Sequence, residues 1–246
     1  MTTILAFSDL HGQLDILSQI KGRIAQIKPN ICLIAGDLTQ FGSHDAAQGI
    51  VARLRNLACP VYFVHGNCDP PEALRAFRSS PGYVHALARE IGDFVLCGYG
   101  NVPPTPFGTF NEVPEEVISS EFKPENPALP LILLTHAPPI DINDLTRGGP
   151  HGGSLALRDI LTMHEPLLML HGHIHEAPGF TVYNYETGKA GQTVWFSDNS
   201  ESEYQLERNP DHGVIINVAA AKFGRWVEIE ISSEIISIRP QMLVHG

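Results

Sequence analysis

Thr3-Ile4-Leu5-Ala6-Phe7-Ser8-Asp9-Leu10-His11-Gly12 is the stretch on which the fold turns. A short apolar run passes straight into a polar loop, after which Leu14, Leu17, Ile20, Ile24 and Ile27 recur near helical spacing. The pattern predicts strand, loop and helix. It repeats twice downstream. Ile31 to Ala35 ends in Gly36-Asp37 ahead of a helix expected over Asp45 to Leu57, and Val61 to Val64 ends in His65-Gly66-Asn67-Cys68-Asp69. Strands alternating with helices imply right-handed βαβ crossovers and a largely parallel sheet whose carboxyl edge gathers the loops.

Further along, Val95 to Gly98 reads as a strand. Residues 101–130 read as a Pro-containing loop insertion with a short helix near Glu115 to Glu121. Leu131 to Leu134 ends at Thr135-His136, Leu155 to Met163 is expected to be helical, and Leu167 to Leu170 ends in His171-Gly172-His173-Ile174-His175. The remaining apolar segments, near Thr181 to Tyr185, Thr193 to Ser197, Val214 to Val218, Trp226 to Ile231 and Ile235 to Arg239, predict a second sheet packed on the first. The chain is expected to form a single domain over 1–246, within reach of one hydrophobic core.

The bulk composition narrows the partners. A formal charge of -11 disfavours a nucleic-acid polymer, whose phosphates demand clustered Lys and Arg, and leaves room for a small phosphorylated substrate. No run approaches the roughly 20 apolar residues of a membrane span, so no membrane partner and a cytoplasmic location are expected. Cys32, Cys59, Cys68 and Cys97 show no CxxC pairing and read as free thiols. A homo-oligomer is permitted, not required.

Each polar loop alone is weak evidence, because Asp, Asn and Gly are ordinary turn and cap residues. Together they form an ordered set: Asp9 and His11, Asp37, Asn67, His136, and His173 with His175 all follow apolar strand-like runs. Residues at i and i+2 of an extended segment point the same way, which would let each pair reach one cluster and suits two adjacent ions. Carboxylate, imidazole and amide-oxygen ligands together favour Mn²⁺, with Fe, Zn²⁺ and Co²⁺ as alternatives, over Mg²⁺ or Ca²⁺.

The blocks Asp9-Leu10-His11, Gly36-Asp37-Leu38-Thr39, Gly66-Asn67-Cys68-Asp69, Thr135-His136 and Gly172-His173-Ile174-His175 resemble the motif series of the calcineurin-like metallophosphoesterases. The similarity extends to the cyclic-nucleotide-phosphodiesterase-like branch around Thr135-His136-Ala137-Pro138-Pro139 and Gly152-Gly153-Ser154. It implies an α/β fold, a four-layer αββα sandwich with two mixed β-sheets. It also implies two divalent metal ions, with Asp9, His11 and His175 on the first, Asn67, His136 and His173 on the second, and Asp37 bridging. The activity implied is phosphoester hydrolysis, with phosphodiesters favoured, by a metal-activated water.

In that scheme Asp37 and Asn67 take part in catalysis and Asn67 and Cys68 contact substrate. Cys68 stands where many members carry a His that assists the leaving group, and a thiol is a poorer proton donor near neutrality. His171 becomes the candidate catalytic acid, with His65 as another neighbour. The alternative is a catalytically weak metal-binding regulatory protein on the same fold. His151, Asp144 and Arg147 lie in a connecting loop and are candidates to line the pocket.

Overall fold

The computed structural model describes residues 1–124, 128–197 and 202–243. In chain order the elements are β1 (Thr2–Phe7), α1 (Leu14–Ile27), β2 (Ile31–Ala35), α2 (His44–Arg55), β3 (Val61–Val64), α3 (Pro71–Phe77), β4 (Leu87–Ile91), β5 (Phe94–Tyr99), α4 (Glu115–Glu121) and β6 (Leu131–Thr135). They continue with α5 (Leu155–His164), β7 (Leu168–His171), β8 (Gly179–Asn184), β9 (Lys189–Ala190), β10 (Val194–Trp195), β11 (Tyr204–Glu207), β12 (His212–Asn217), β13 (Arg225–Ile231) and β14 (Ile235–Met242).

Alternating side chains explain the layers. In β1, Ile4 and Ala6 enter the core between the sheets, while Leu5 and Phe7 enter a second core with Leu17, Ile20 and Ile24 of α1. On the far side, Ile132 and Leu134 of β6 face the same inter-sheet core, while Leu131 and Leu133 pack with Leu157 and Leu161 of α5. Three apolar interfaces therefore separate four layers: helices, sheet, sheet, helices. Burial on both faces is why these strands read as continuous apolar runs, the signature expected of covered parallel strands.

One six-stranded sheet has the order β11-β14-β13-β1-β2-β3, and an eight-stranded sheet contains β10-β8-β12-β7-β6-β5-β4 with β9 beside β8. Strands β1, β2 and β3 are parallel neighbours, as are β5, β6, β7 and β12; the outer strands are antiparallel. Both sheets are thus mixed. The β-rich end does not build the second sheet by itself, contrary to the sequence expectation. Strands β11, β13 and β14 extend the β1 side, while β8, β9, β10 and β12 extend the β7 side. Strand β1 pairs with β13 on the side away from β2, and β7 with β12 on the side away from β6, and these long-range pairings leave no local trace in sequence.

Strands β4, β9 and β11 and helix α3 escaped the sequence reading. Strand β4 has mostly exposed residues and no apolar alternation, and α3 is one short segment entered through Pro71 at its first turn. Residues 101–113 carry a bridge between Val102 and Glu112, followed by α4 over the expected Glu115–Glu121. No helix among the described residues is long and apolar enough to cross a membrane.

Candidate metal centre

The carboxyl ends of β1, β2 and β3 from one sheet and of β6 and β7 from the other meet along one edge. Backbone hydrogen bonds stitch them together: Asp9 N donates to Gly36 O at 3.0 Å, His11 N to Asp37 O at 2.9 Å, and Gly172 N to His136 O at 3.0 Å. The local backbone corrects one step of the sequence argument. Asp9, His11, Asp37 and His173 have φ of 55°, 47°, 52° and 68°, so the paired residues are not in extended segments. The loops after β1, β2 and β7 leave their strands through the left-handed region, a conformation uncommon in non-glycine residues and concentrated at functional sites.

Asp9, His11 and His175 form one group of converging ligand atoms. His175 Nε2 lies 3.0 Å from Asp9 Oδ1 and 3.3 Å from His11 Nε2, which is in turn 3.7 Å from Asp37 Oδ2. Ser8 Oγ and the His173 backbone N–H donate to Asp9 Oδ2, fixing the carboxylate. His11 Nδ1, by contrast, is buried without a hydrogen-bond partner.

The second group is His136, Asn67 and the other oxygen of Asp37, with the His173 ring edge-on to His136 at 5.0 Å between centroids. His136 Nδ1 faces Ala35 O at 2.8 Å and must donate to it, so in the neutral ring Nε2 carries the lone pair. That lone pair faces Asn67 Oδ1 at 3.0 Å and Asp37 Oδ1 at 3.4 Å. The amide orientation follows from its other end: Asn67 Nδ2 donates to Thr109 Oγ1 at 2.8 Å, and Thr109 Oγ1 donates to Glu112 Oε1 at 2.5 Å.

Two glycines permit this closeness. A Cβ on Gly66 would collide with Asp37 Oδ1 and lie 2.6 Å from His136 Nε2, and a Cβ on Gly172 would strike Ser8 Oγ and lie 2.5 Å from Asp9 Oδ2.

With His136 neutral, its Nε2 lone pair faces two acceptor oxygens, and in the first group two imidazole Nε2 atoms lie 3.3 Å apart beside two carboxylates. Buried lone pairs in that arrangement repel unless a cation intervenes, so the donor set fits two divalent ions sharing Asp37. The same groups also hold protons against one another. Burial works against charge on His136, but the Asp37 carboxylate outweighs it and lifts the imidazole to about 9. Asp37, which burial alone would raise, is held down to about 2 chiefly by His136. Asp9 is likewise kept ionised, its burial outweighed by His175.

Other expected residues divide clearly. Cys68 donates its backbone N–H to Asp37 Oδ1 at 2.7 Å, and burial together with the Asp37 carboxylate pushes its thiol up, so the sulfur stays protonated. His171 is fully buried at the end of β7, its ring lowered to about 3 by burial, with Nε2 unpartnered. His65 is buried and neutral, lowered to about 3 by burial, between Tyr83 Oη at 2.7 Å and Asn101 Oδ1 at 2.9 Å. Asp144 ties down its own loop through His151, Asp141 N and Gly153 N, away from the ligand atoms. Arg147 lines a cleft of about 700 Å³ that also contains His175, Glu176, Trp195, Phe223 and Arg225.

Sequence reasoning missed the supports. Asp69 accepts from Leu38 N, Thr39 N, Thr39 Oγ1 and Gly66 N, binding the Asp37 loop to the Asn67 loop. Thr109 and Glu112 orient Asn67 from the 101–130 segment. Lys222 donates its backbone N–H to Asp9 O, and its ammonium lies 5.2 Å from the Phe223 ring centroid. The usable signal for this last pair was position: they follow β12, another parallel strand ending at the same edge.

Residues 2–177 match the family model of the calcineurin-like phosphoesterases. An uncharacterised protein of Methanocaldococcus jannaschii is 30% identical over 185 residues, which span 71% of this chain and 80% of that protein. Among solved structures, a Thermus thermophilus protein superposes with a TM-score of 0.65 at 18% identity, over 93% of both chains. A dimetal phosphatase from Danio rerio superposes with a TM-score of 0.60 at 11% identity, over 99% of this chain and 96% of that one. These two likenesses are likenesses of fold.

Proposed function

The chain belongs to the calcineurin-like phosphoesterases, a metal-dependent family, and we propose that within it this protein is a dinuclear phosphodiesterase acting on small substrates. The carrying observation is the convergence of carboxylate, imidazole and amide acceptors from five loops on two adjoining points, joined by Asp37. Asp9, His11 and His175 would hold one ion, Asn67, His136 and His173 the other, and Asp37 both. Mn²⁺ suits this mixed set better than Mg²⁺, which favours oxygen ligands and retains its waters.

Ions of this kind activate a bound water, to a pKa of about 7 in the best-studied zinc case, and offset charge on phosphoryl oxygens. The protein's own part is placement. Thr109 holds the Asn67 amide with its oxygen toward the centre, and the Ala35 carbonyl holds His136 in one tautomer. Cys68 sits beside the bridging carboxylate as an uncharged thiol, which supports substrate contact more than proton donation. Fully buried His171 is better placed to support the Gly172 loop than to exchange a proton with solvent. With weak protonation of the leaving group, diesters that expel a stable anion are favoured over alkyl monoesters.

The protonated Cys68 also gives the second reading its support, that of a metal-binding regulator with little turnover. One experiment separates them: chelator-treated protein is reloaded with Mn²⁺ and assayed on bis(p-nitrophenyl) phosphate and p-nitrophenyl phosphate. The expected result is metal-dependent turnover, faster on the diester. Two bound ions without turnover of either ester would favour the regulator, and faster monoester turnover would remove the diesterase assignment.

A further inference from the structure

Large aromatic rings stand exposed on both flanks of the ligand cluster, each attached to a different group of ligands. On one flank Phe223, 49% exposed, meets the His175 ring edge-on at 6.1 Å, and Trp195, 50% exposed, lines the same cleft. On the other, Phe41 and Phe110 are 52% and 40% exposed, with ring centroids 5.9 Å apart. Phe41 N donates to Cys68 O at 2.9 Å and Phe110 N to Asn67 O at 3.0 Å, so these rings are fixed to the Asn67 loop. Exposing four such side chains loses the stabilisation of burying them, and contiguous exposed apolar surface of this sort marks binding sites.

Charge adds a second discrimination. In a chain of net charge -11, the Trp195 cleft is lined by two arginines, Arg147 and Arg225, against one carboxylate, Glu176, which accepts from the Arg147 backbone N–H at 2.8 Å, and Arg147 is exposed. Flat faces that accept any base by stacking, combined with an exposed guanidinium such as that of Arg147 to pair with phosphate oxygens, suit short single-stranded nucleotides. A long strand would have to bind against the chain's net charge of -11.

The geometry points to a short linear dinucleotide with a terminal phosphate as the substrate class: one base on Trp195 and Phe223, the terminal phosphate at Arg147, the scissile diester at the ligand cluster, and the other base on Phe41 and Phe110. This rests on the diesterase reading for its chemistry and on the exposed rings for its specificity. A cyclic mononucleotide carries one base and would use one flank only.

The first test is binding. Trp195 is the exposed member of the two tryptophans, Trp226 being buried, so intrinsic fluorescence reports chiefly on the cleft. Titration with adenosine 5′-monophosphate should quench it, and ribose 5-phosphate should not. The second test is kinetic, on Mn²⁺-loaded protein with the 5′-phosphorylated dinucleotide pApA, ApA, cyclic AMP and methyl p-nitrophenyl phosphate. The ratio of kcat/KM for pApA to that for methyl p-nitrophenyl phosphate should fall about tenfold in Trp195→Ala, as loss of one stacked base requires, and recover largely in Trp195→Phe. Arg147→Gln should erase the preference for pApA over ApA. Equal quenching by ribose 5-phosphate, an unchanged ratio in Trp195→Ala, or cyclic AMP turned over faster than both dinucleotides would overturn the assignment. Quenching by the nucleotide without turnover of any ester would retain the base site while removing the hydrolase reading beneath it.

Discussion

The two halves of the ligand cluster are built on different principles. Asp9, His11 and His175 bring their own negative charge, yet His11 Nδ1 is left without a partner and the His175 side chain is 22% exposed. Asn67, His136 and His173 bring none beyond the shared Asp37, but Asn67 is held by Thr109 and His136 by Ala35 O. The first half adds a charge of its own, held by Ser8 and the His173 N–H, and the second has only orientation to add to the shared Asp37. Orienting partners are worth about 10- to 100-fold in metal affinity, or ~1.4–2.7 kcal/mol. A unit charge pair at 4 Å in an effective dielectric of 20 is already worth ~4 kcal/mol. Charge wins, so the Asp9 half should hold its ion more tightly.

Asp37 is where the halves cease to be separate, and its replacement should have the largest effect. Asp37→Asn should lose metal from both halves and reduce kcat/KM by more than the ~100-fold typical of an outer partner. Metal analysis beside kinetics is the check, and an intact pair of ions would remove the bridge from the scheme.

Stability in the presence of chelator should divide the halves next. His136 is fully buried and charge-paired with Asp37, so His136→Ala leaves both a cavity and an unpaired carboxylate and should cost about 2 kcal/mol or more. His175→Ala also unpairs a buried carboxylate, Asp9, but its partly exposed ring leaves less of a cavity, so it should cost less than His136→Ala. Urea midpoints of the two variants decide this, and equal losses would show the halves to be equally embedded.

A smaller effect isolates orientation. Thr109→Val keeps the shape but removes the hydroxyl between Asn67 and Glu112, and should weaken metal binding at the Asn67 half by ~10-fold without touching the Asp9 half. Calorimetric titration with Mn²⁺ would show whether one step moves or both.

The smallest effect is on acid stability. Glu112 is depressed to about 2: its limited burial acts upward, and the hydrogen bonds from Thr105 and Thr109 outweigh it. A lowered folded pKa means that its contribution is complete above the unfolded value near 4.5 and is lost as the pH falls toward 2. The stability difference between wild type and Glu112→Gln should therefore narrow across that interval. A constant difference from pH 5 to pH 2.5 would show that the Thr105 and Thr109 contacts do not distinguish the two charge states.

The same contrast explains what was legible in the sequence. Strands β1, β2, β3, β6 and β7 are covered on both faces and so announce themselves as apolar runs, and Asp9, Asp37, Asn67, His136, His173 and His175 stand just beyond them. Strand β4 has little to bury and left no pattern, and the division of β11 to β14 between two sheets depends on pairing with strands far away in the chain. Thr109, Glu112, Trp195 and Phe223 act from loops and an edge strand where residue type carries no periodic signal. Ligands that rely on charge are visible in sequence by chemistry. Their supports become visible only by contact.

The unequal halves are tested most directly by counting ions while metal is withdrawn. Mn²⁺-loaded protein dialysed against increasing chelator, with metal measured per chain, should begin at two ions and pause at one. The ion that remains should also be present in His136→Ala and absent from His175→Ala, placing it between Asp9, His11 and His175. Loss of both ions in a single step, or a last ion that survives in His175→Ala and not in His136→Ala, would contradict the dominance of charge over orientation in this centre.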